Sequence, residues 1–337
     1  MWRPLHRLTS LTMRSIWTLR SYHPFRLEKP RSKAVLVLGS GRSGTSVLTK
    51  ALNLMGVDLG EDKLLGATEI NPKGYFENEF VISMHKKIGS TMKYRPGSWG
   101  YEHARDIRAY REELTEYIRK TFLWRPVWGL KDPRTNDFMK LWKAIFRDLN
   151  IEPHYVVIVR NPMDVVASSV SAWNRDELWG LRQWQLRTLF SICDTYGGKR
   201  IIVSYEELFG NPLECLRRIA TALHLPWPQD EDELRRNLDL FIDRALQRSH
   251  SGENLNEFLQ RPDVTQDVKD LYSLALEGVN SLEYFQSRDF HRRAKQLYRN
   301  YLDTYGPLKR RAPTREREPE PITPLVSTEG TCGPSLN

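Results

Sequence analysis

Residues 34–46, AVLVLGSGRSGTS, run from an apolar segment of strand length through three glycines and straight into helix-forming sequence. A strand, glycine turn and helix in that order leave backbone N–H groups of the turn and of the first helical turn facing one concavity. The positive end of the helix dipole adds to them, so an anion site exists before any side chain is counted. Two nucleotide-binding patterns compete for this loop. Gly39, Gly41 and Gly44 satisfy G-x-G-x-x-G, but a dinucleotide unit also needs an acidic residue at the end of a second strand about 20 residues on. Asp58 stands near that distance, in GVDLG, which is too short and glycine-bounded for a buried parallel strand. Residues 39–46 also fit G-x-x-x-x-G-K-[ST], except that Thr45 occupies the lysine position; without that lysine the β- and γ-phosphates of a triphosphate lose their main charge partner. The cation is Arg42, inside the loop, within reach of the terminal group of a shorter chain of anions.

That arrangement, GxRSGTS after a strand, resembles the 5′-phosphosulfate loop of sulfotransferases that use 3′-phosphoadenosine 5′-phosphosulfate (PAPS). A second block, YVVIVRNPMDVVASS at 155–169, reads as an apolar strand ending at Arg160, a turn at Asn161 and Pro162, and a helix start. It is similar to the 3′-phosphate motif of that family, in which an arginine and a serine eight residues later grip the donor's 3′-phosphate; here they are Arg160 and Ser168. A nucleotide kinase or triphosphatase has no use for such a clamp and wants an aspartate for magnesium at the end of this strand. Residues 198–212, GKRIIVSYEELFGNP, read as a further short strand, a turn and a helix, and Tyr205 matches the tyrosine that lies against the adenine in many members. VWGLKDPR at 127–134 places Lys131 just past another strand, like the family lysine that approaches the transferring sulfuryl group, and NPKGYFE at 71–77 is similar to an acceptor-side motif of the bacterial branch that carries KDPR. The resemblance spans roughly 34–225.

What the resemblance implies is a parallel α/β sheet of the P-loop type, flanked by helices on both faces, with additional C-terminal helices. It implies a donor site of Gly39, Ser40, Gly41, Arg42, Ser43, Gly44, Thr45, Ser46, Arg160, Ser168 and Tyr205, with Arg42 and Lys131 acting at the transferring group. The co-substrate is then PAPS, the product adenosine 3′,5′-bisphosphate, and no metal is required; His85, His103, His154 and His250 show no ligand spacing. The histidine that serves as base in cytosolic members, two positions past the family lysine, is here Pro133. Glu77 is the best replacement, with Glu69 and Asp132 as rivals. The acceptor expected is a small molecule or glycan bearing a hydroxyl or amine. A catalytically inactive protein that retains adenosine 3′,5′-bisphosphate is the alternative the motifs leave open, and an ATP-dependent kinase a more distant one.

The net charge of +9 invites a nucleic-acid reading, but Arg3, Arg7, Arg14, Arg20, Arg26, Lys29, Arg31 and Lys33 against Glu28 carry +7 of it, leaving +2 for the remainder. No nucleic-acid partner is expected; the basic arm, with Trp2, Leu5, Leu8, Leu11, Ile16, Trp17 and Leu19 interspersed, suits contact with a membrane surface, an organelle address or a solvated extension. Cys193, Cys215 and Cys332 have neither metal nor redox spacing, which with the lack of a long apolar run points to a reducing, cytoplasmic setting. The expected organisation is a basic extension at 1–33, a PAPS-binding α/β domain at 34–228, a helical part of the same domain at 229–311 and a disordered tail at 312–337, without internal repeats. Helical spacing also predicts a cap or acceptor-side helix over 104–122 and helices over 177–196 and 212–225.

Overall fold

The computed structural model describes residues 32–60, 64–68, 71, 73–92, 105–242 and 251–307. The arm before residue 32, Glu69, His103, His250, Cys332 and the tail at 312–337 lie outside the described residues. Among the described residues four strands, β1 (Ser32–Leu38), β2 (Val127–Lys131), β3 (Ile151–Val159) and β4 (Lys199–Ser204), form one parallel sheet in the order β2-β1-β3-β4. Register pairs Val35 with Gly129 on one side of β1 and Leu36 with Tyr155 on the other. The central residues of all four strands are apolar, as parallel strands covered on both faces must be.

Side chains alternate between two cores. Val35, Val37, Val156, Ile158, Ile201 and Val203 face the layer of α1 (Thr45–Leu54), α7 (Tyr205–Gly210), α8 (Pro212–Leu223) and α9 (Glu231–Phe241). Leu36, Leu38, Trp128, Leu130, Val157 and Ile202 face the opposite layer. That layer holds α2 (Glu79–Ser90), α3 (Arg105–Thr121), α4 (Met139–Asp148), α6 (Glu177–Asp194), α11 (Gln266–Asn280), α12 (Leu282–Gln286) and α13 (Arg288–Tyr305). The fold is therefore the helix-covered parallel α/β sheet that the motifs predict. The helix expected over 104–122 is α3, and its apolar face, with Leu114 and Ile118, is buried in this second core beside α2 and α4.

Among the described residues two further helices remain: α5 (Pro162–Trp173), packed on α6, and α10 (Leu255–Gln260), beside α11. Their ends follow local chemistry. Asn161 caps α5 through Met163 N–H with Pro162 at the first helical position, and Asn174 ends it in the left-handed conformation (φ 47°). Asn211 with Pro212 begins α8 in the same way, and His224 (φ 49°) ends it.

Topology decides where ligands meet this sheet. The chain goes from β1 to β2 on one side and returns to β3 on the other, so the strand order reverses between the carboxyl ends of β1 and β3, where open α/β sheets bind their ligands. The segments that leave those two ends are the glycine loop at 39–44 and Arg160.

The C-terminal helices are continuous with the core that backs this crevice. Phe285 and Phe290 meet edge to face at 5.1 Å beneath Gly278, where an added Cβ would lie 2.9 Å from the Phe290 ring. Fully buried Arg200 on β4 donates to the carbonyl oxygens of Ile192 and Phe285, tying α6 and α12 to the sheet. Phe285→Ala should therefore lower the stability of the whole molecule by about 3–5 kcal/mol. Urea unfolding followed by tryptophan fluorescence and by far-ultraviolet circular dichroism should shift together; two separate transitions, with only one moved, would make 255–305 an independent unit.

Candidate functional site

The loop after β1 depends on backbone shapes that L-side chains resist. Gly39 (φ 150°) and Gly44 (φ 88°) carry positive φ. A Cβ on Gly39 would lie 2.6 Å from the carbonyl oxygen of Ile158, and one on Gly44 would lie 2.9 Å from the Tyr205 ring. Arg42 also adopts the left-handed conformation (φ 74°), a strain that non-glycine residues tolerate mainly where the surroundings hold them. The Asn136 side chain does part of that holding: its Oδ1 accepts from Gly39 N–H at 3.1 Å, and its Nδ2 donates to the carbonyls of Gly39 and Pro133 at 2.8 Å. Ser191 on α6 donates to the same Oδ1 at 2.6 Å.

Gly44 caps α1 without a side-chain acceptor, and no acidic residue stands in the first turn. The N–H groups there face the crevice with the positive end of the helix dipole behind them. Ser43 Oγ, fully buried, finds no hydrogen-bond partner among the described residues. Gly41 leaves room beside Arg187, whose Nη1 would be 3.8 Å from a Cβ built there. Together the N–H groups of the first helical turn and the Ser43 hydroxyl offer donors to one concavity, which suits an anion.

Arg160 and Ser168 lie on the neighbouring side of the same crevice, and Arg42 joins the two halves. Arg42 Nε donates to Ser168 Oγ at 2.9 Å, and Arg160 Nη1 donates to the Arg42 carbonyl at 3.0 Å. The Arg42 guanidinium also lies 5.3 Å from the Trp173 ring centre, so Trp173 shares the site. Arg160 sits 4.0 Å above the Tyr205 ring and 3.6 Å from Asp164. Tyr205 is buried and stacked on Phe209 at 4.3 Å, and its ring supports the Arg160 guanidinium.

A buried chain of charges closes the other side. Lys131, the last residue of β2, donates from Nζ to Glu77 Oε1 at 2.6 Å, to Ser46 Oγ at 2.9 Å and to the Tyr75 carbonyl at 3.1 Å. Burial pushes the Lys131 ammonium below the ordinary lysine range, against the opposing pull of Glu77. Glu77 Oε2 is 3.4 Å from Arg134 Nη2. The carboxylate is brought there by an arm at 73–78 that pairs with 64–65, Glu77 O accepting from Leu65 N–H at 2.7 Å, and then enters α2 through the Asn78 cap. Arg134 in turn holds Asp132, with Nε–Oδ1 at 2.8 Å and its own N–H to Oδ1 at 2.9 Å. Asp132 Oδ2 meets His85 Nδ1 at 2.7 Å, and His85 Nε2 accepts from Trp142 Nε1 at 3.0 Å. Burial alone would raise the Asp132 carboxyl, but Arg134 and His85 hold it far below the usual carboxylate range.

The crevice thus gathers the expected loop with Arg42, Arg160, Ser168, Lys131 and Glu77. Asp132 lies at its back, with both oxygens taken by Arg134 and His85. Sequence reasoning missed Asn136, Arg187 and His85. Asn136 follows KDPR by two positions and was open to suspicion from that motif; the other two come from distant helices with no local signal. Among the described residues no cluster of three His, Cys, Asp or Glu could hold a metal ion, and no helix is long and apolar enough to cross a membrane.

Known proteins resemble this chain at the level of family. The profile described as "Sulfotransferase family" matches residues 34–229. A Caenorhabditis elegans protein named "Putative protein-tyrosine sulfotransferase" is 30% identical over 141 residues, 39% of this chain and 52% of that protein. The chain thus spans about half the length of the curated relative it matches. Among solved structures, the sulfotransferase domain of the curacin biosynthetic pathway is 14% identical, covering 79% of this chain and 98% of that one, with a TM-score of 0.36. A Mycobacterium avium sulfotransferase is 15% identical, covering 86% and 81%, with the same TM-score of 0.36. With the family profile running from the first residues of β1 to beyond α8, the chain belongs to the Sulfotransferase family.

Proposed function

We propose that this chain is an enzyme that transfers a sulfuryl group from PAPS to a hydroxyl or amine of a carbohydrate or other small acceptor. One observation carries the reading: the cradle after β1 and the Arg160–Ser168 pair after β3 are joined through Arg42 across a single crevice. Two anion sites so linked suit a nucleotide with phosphates at both 5′ and 3′ positions. The loop amides, Ser43 and Ser46 then receive the 5′-phosphosulfate, and Arg160, supported by Tyr205, receives the 3′-phosphate together with Ser168. Bound PAPS supplies an activated sulfuryl group whose bridging oxygen gains negative charge as its bond to sulfur breaks. Lys131 and Arg42, with the helix N–H groups, are the donors within reach of that charge, and donors aimed there act on the transition state. Glu77, exchanging Lys131 for an acceptor hydroxyl, takes the proton.

Adenosine 3′,5′-bisphosphate should bind without added metal and stabilise the protein, by about 2.7 kcal/mol at a hundred times its Kd, and ATP far less. Arg160→Ala should weaken that binding, because the 3′-phosphate is held alike in ground and transition states, whereas Arg42→Ala should weaken it and also slow turnover. Thermal shift and isothermal titration measure the first, and sulfate-labelled donor with a panel of glycans, phenols, amines and lipids the second. Equal stabilisation by both nucleotides, or a strict magnesium requirement, overturns the reading.

The two carboxylates separate by a second set of measurements. Glu77→Gln keeps shape but removes basicity, so turnover should fall about 100-fold or more with nucleotide affinity near wild type. Asp132 has a folded value below its ordinary 3.8, so its carboxylate contributes stability that is fully present above about pH 4 and is lost as pH falls below it. Asp132→Asn should therefore cost about 3 kcal/mol or more at neutral pH and flatten the acid limb of the stability curve. A near-normal rate in Glu77→Gln with a collapsed rate in folded Asp132→Asn would transfer the base role to Asp132.

A further inference from the structure

Behind the crevice lies a polar chain that the transfer chemistry does not touch. His85 is fully buried on α2, its ring stacked on Phe138 at 4.9 Å and edge-on to Trp142 at 5.8 Å. Both of its nitrogens are engaged. An indole N–H can only donate, so the 3.0 Å contact from Trp142 Nε1 makes His85 Nε2 an acceptor and leaves the ring hydrogen on Nδ1. Nδ1 then donates to Asp132 Oδ2 at 2.7 Å. Asp132 in turn presents Oδ1 and Oδ2 to Arg134 Nε at 2.8 and 3.0 Å, and the far end of that guanidinium is 3.4 Å from Glu77.

We propose that His85 is a positioning residue for the transfer reaction: it locks the Asp132 carboxylate in the orientation that keeps the Arg134 contact to Glu77 at its long distance of 3.4 Å. The proposal rests on the reading of Glu77 as the acceptor base. A flat ring with a donor on one edge and an acceptor on the other is what the slot between Phe138 and Trp142 requires. Without the Nδ1 donor, Asp132 Oδ2 loses its partner on α2, and the carboxylate can turn about the Arg134 N–H that still holds Oδ1. Arg134 then loses its two-point hold and swings toward Glu77, which already faces Lys131. A second full ion pair there takes from Glu77 the lone pair that an acceptor hydroxyl would meet. His85 touches neither donor nor acceptor; its effect passes through two side chains.

The pair of variants His85→Asn and His85→Gln separates this role from simple packing. Asn places an amide N–H near the position of Nδ1 and keeps the donor to Asp132; Gln places its amide near Nε2 and keeps only the contact to Trp142. The expected result is a kcat about 10- to 100-fold lower in His85→Gln and within about fivefold of wild type in His85→Asn, with the Kd for adenosine 3′,5′-bisphosphate unchanged in both. In the nucleotide-free protein, solvent exchange of the Arg134 Nε–H, followed by nuclear magnetic resonance, should quicken about tenfold or more in the Gln variant alone. Wild-type behaviour of His85→Gln in both measurements, equal losses in the two variants, or nucleotide affinity falling in step with kcat would each overturn the proposal. If the wild-type protein transfers sulfuryl groups to no acceptor, the functional reading fails while the exchange measurement still decides on His85.

Discussion

Positive charge gathered in a buried crevice has to be neutralised before a ligand arrives, and most of the polar architecture at the top of this sheet answers that requirement. An unpaired buried ammonium or guanidinium costs several kcal/mol even after the surroundings relax. Lys131 is therefore met by Glu77, Arg134 by Asp132 and Glu77, Arg160 by Asp164, and Arg187 by Asp137. The pairs differ in closeness. Lys131 and Glu77 are 2.6 Å apart, whereas Arg160 and Asp164 are 3.6 Å apart and Arg187 and Asp137 are 3.7 Å apart. The looser pairs stand beside the glycine loop and Ser168. The tight pair stands at the end of β2.

The loop obeys a different constraint, that of shape. Its glycines allow the backbone to run against Ile158 and Tyr205, and its amides would be of no use if the loop were free to collapse over them. Asn136 prevents this with hydrogen bonds to both the N–H and the carbonyl of Gly39, and Ser191 fixes Asn136 in turn. A cradle on β1 is thus held by a 3₁₀ turn after β2 and by α6, which puts the donor loop and the Lys131–Asp132 segment in one rigid frame. Preorganised donors of this kind need no rearrangement when charge develops, which is where their advantage over water lies.

Much of this was legible residue by residue. A strand, three glycines and a helix dictate an anion cradle because no other backbone leaves so many N–H groups converging. The apolar character of residues 34–38, 127–130, 155–159 and 201–203 dictates a sheet covered on both faces. Arg42, Arg160, Ser168 and Lys131 were each marked by their place at a strand end or at fixed spacing after one. Glu77 and Asp132 were marked only by type and region, and nothing in their local sequence ranked them.

Tertiary structure alone decided that ranking, because it depends on which distant groups fill each carboxylate's lone pairs. Asp132 is saturated by Arg134 two positions on in the chain and by His85 from a helix 47 residues away. Glu77 reaches Lys131 over 54 residues. The same holds for Tyr205, whose place under Arg160 follows from the pairing of β3 with β4, and for Arg42, whose side chain crosses to Ser168 on α5. Short-range rules of strand, turn and helix determined what kind of site the chain could build. Only the crossing of those elements at the carboxyl ends of the strands determined which charges neutralise one another and which are left to face a ligand.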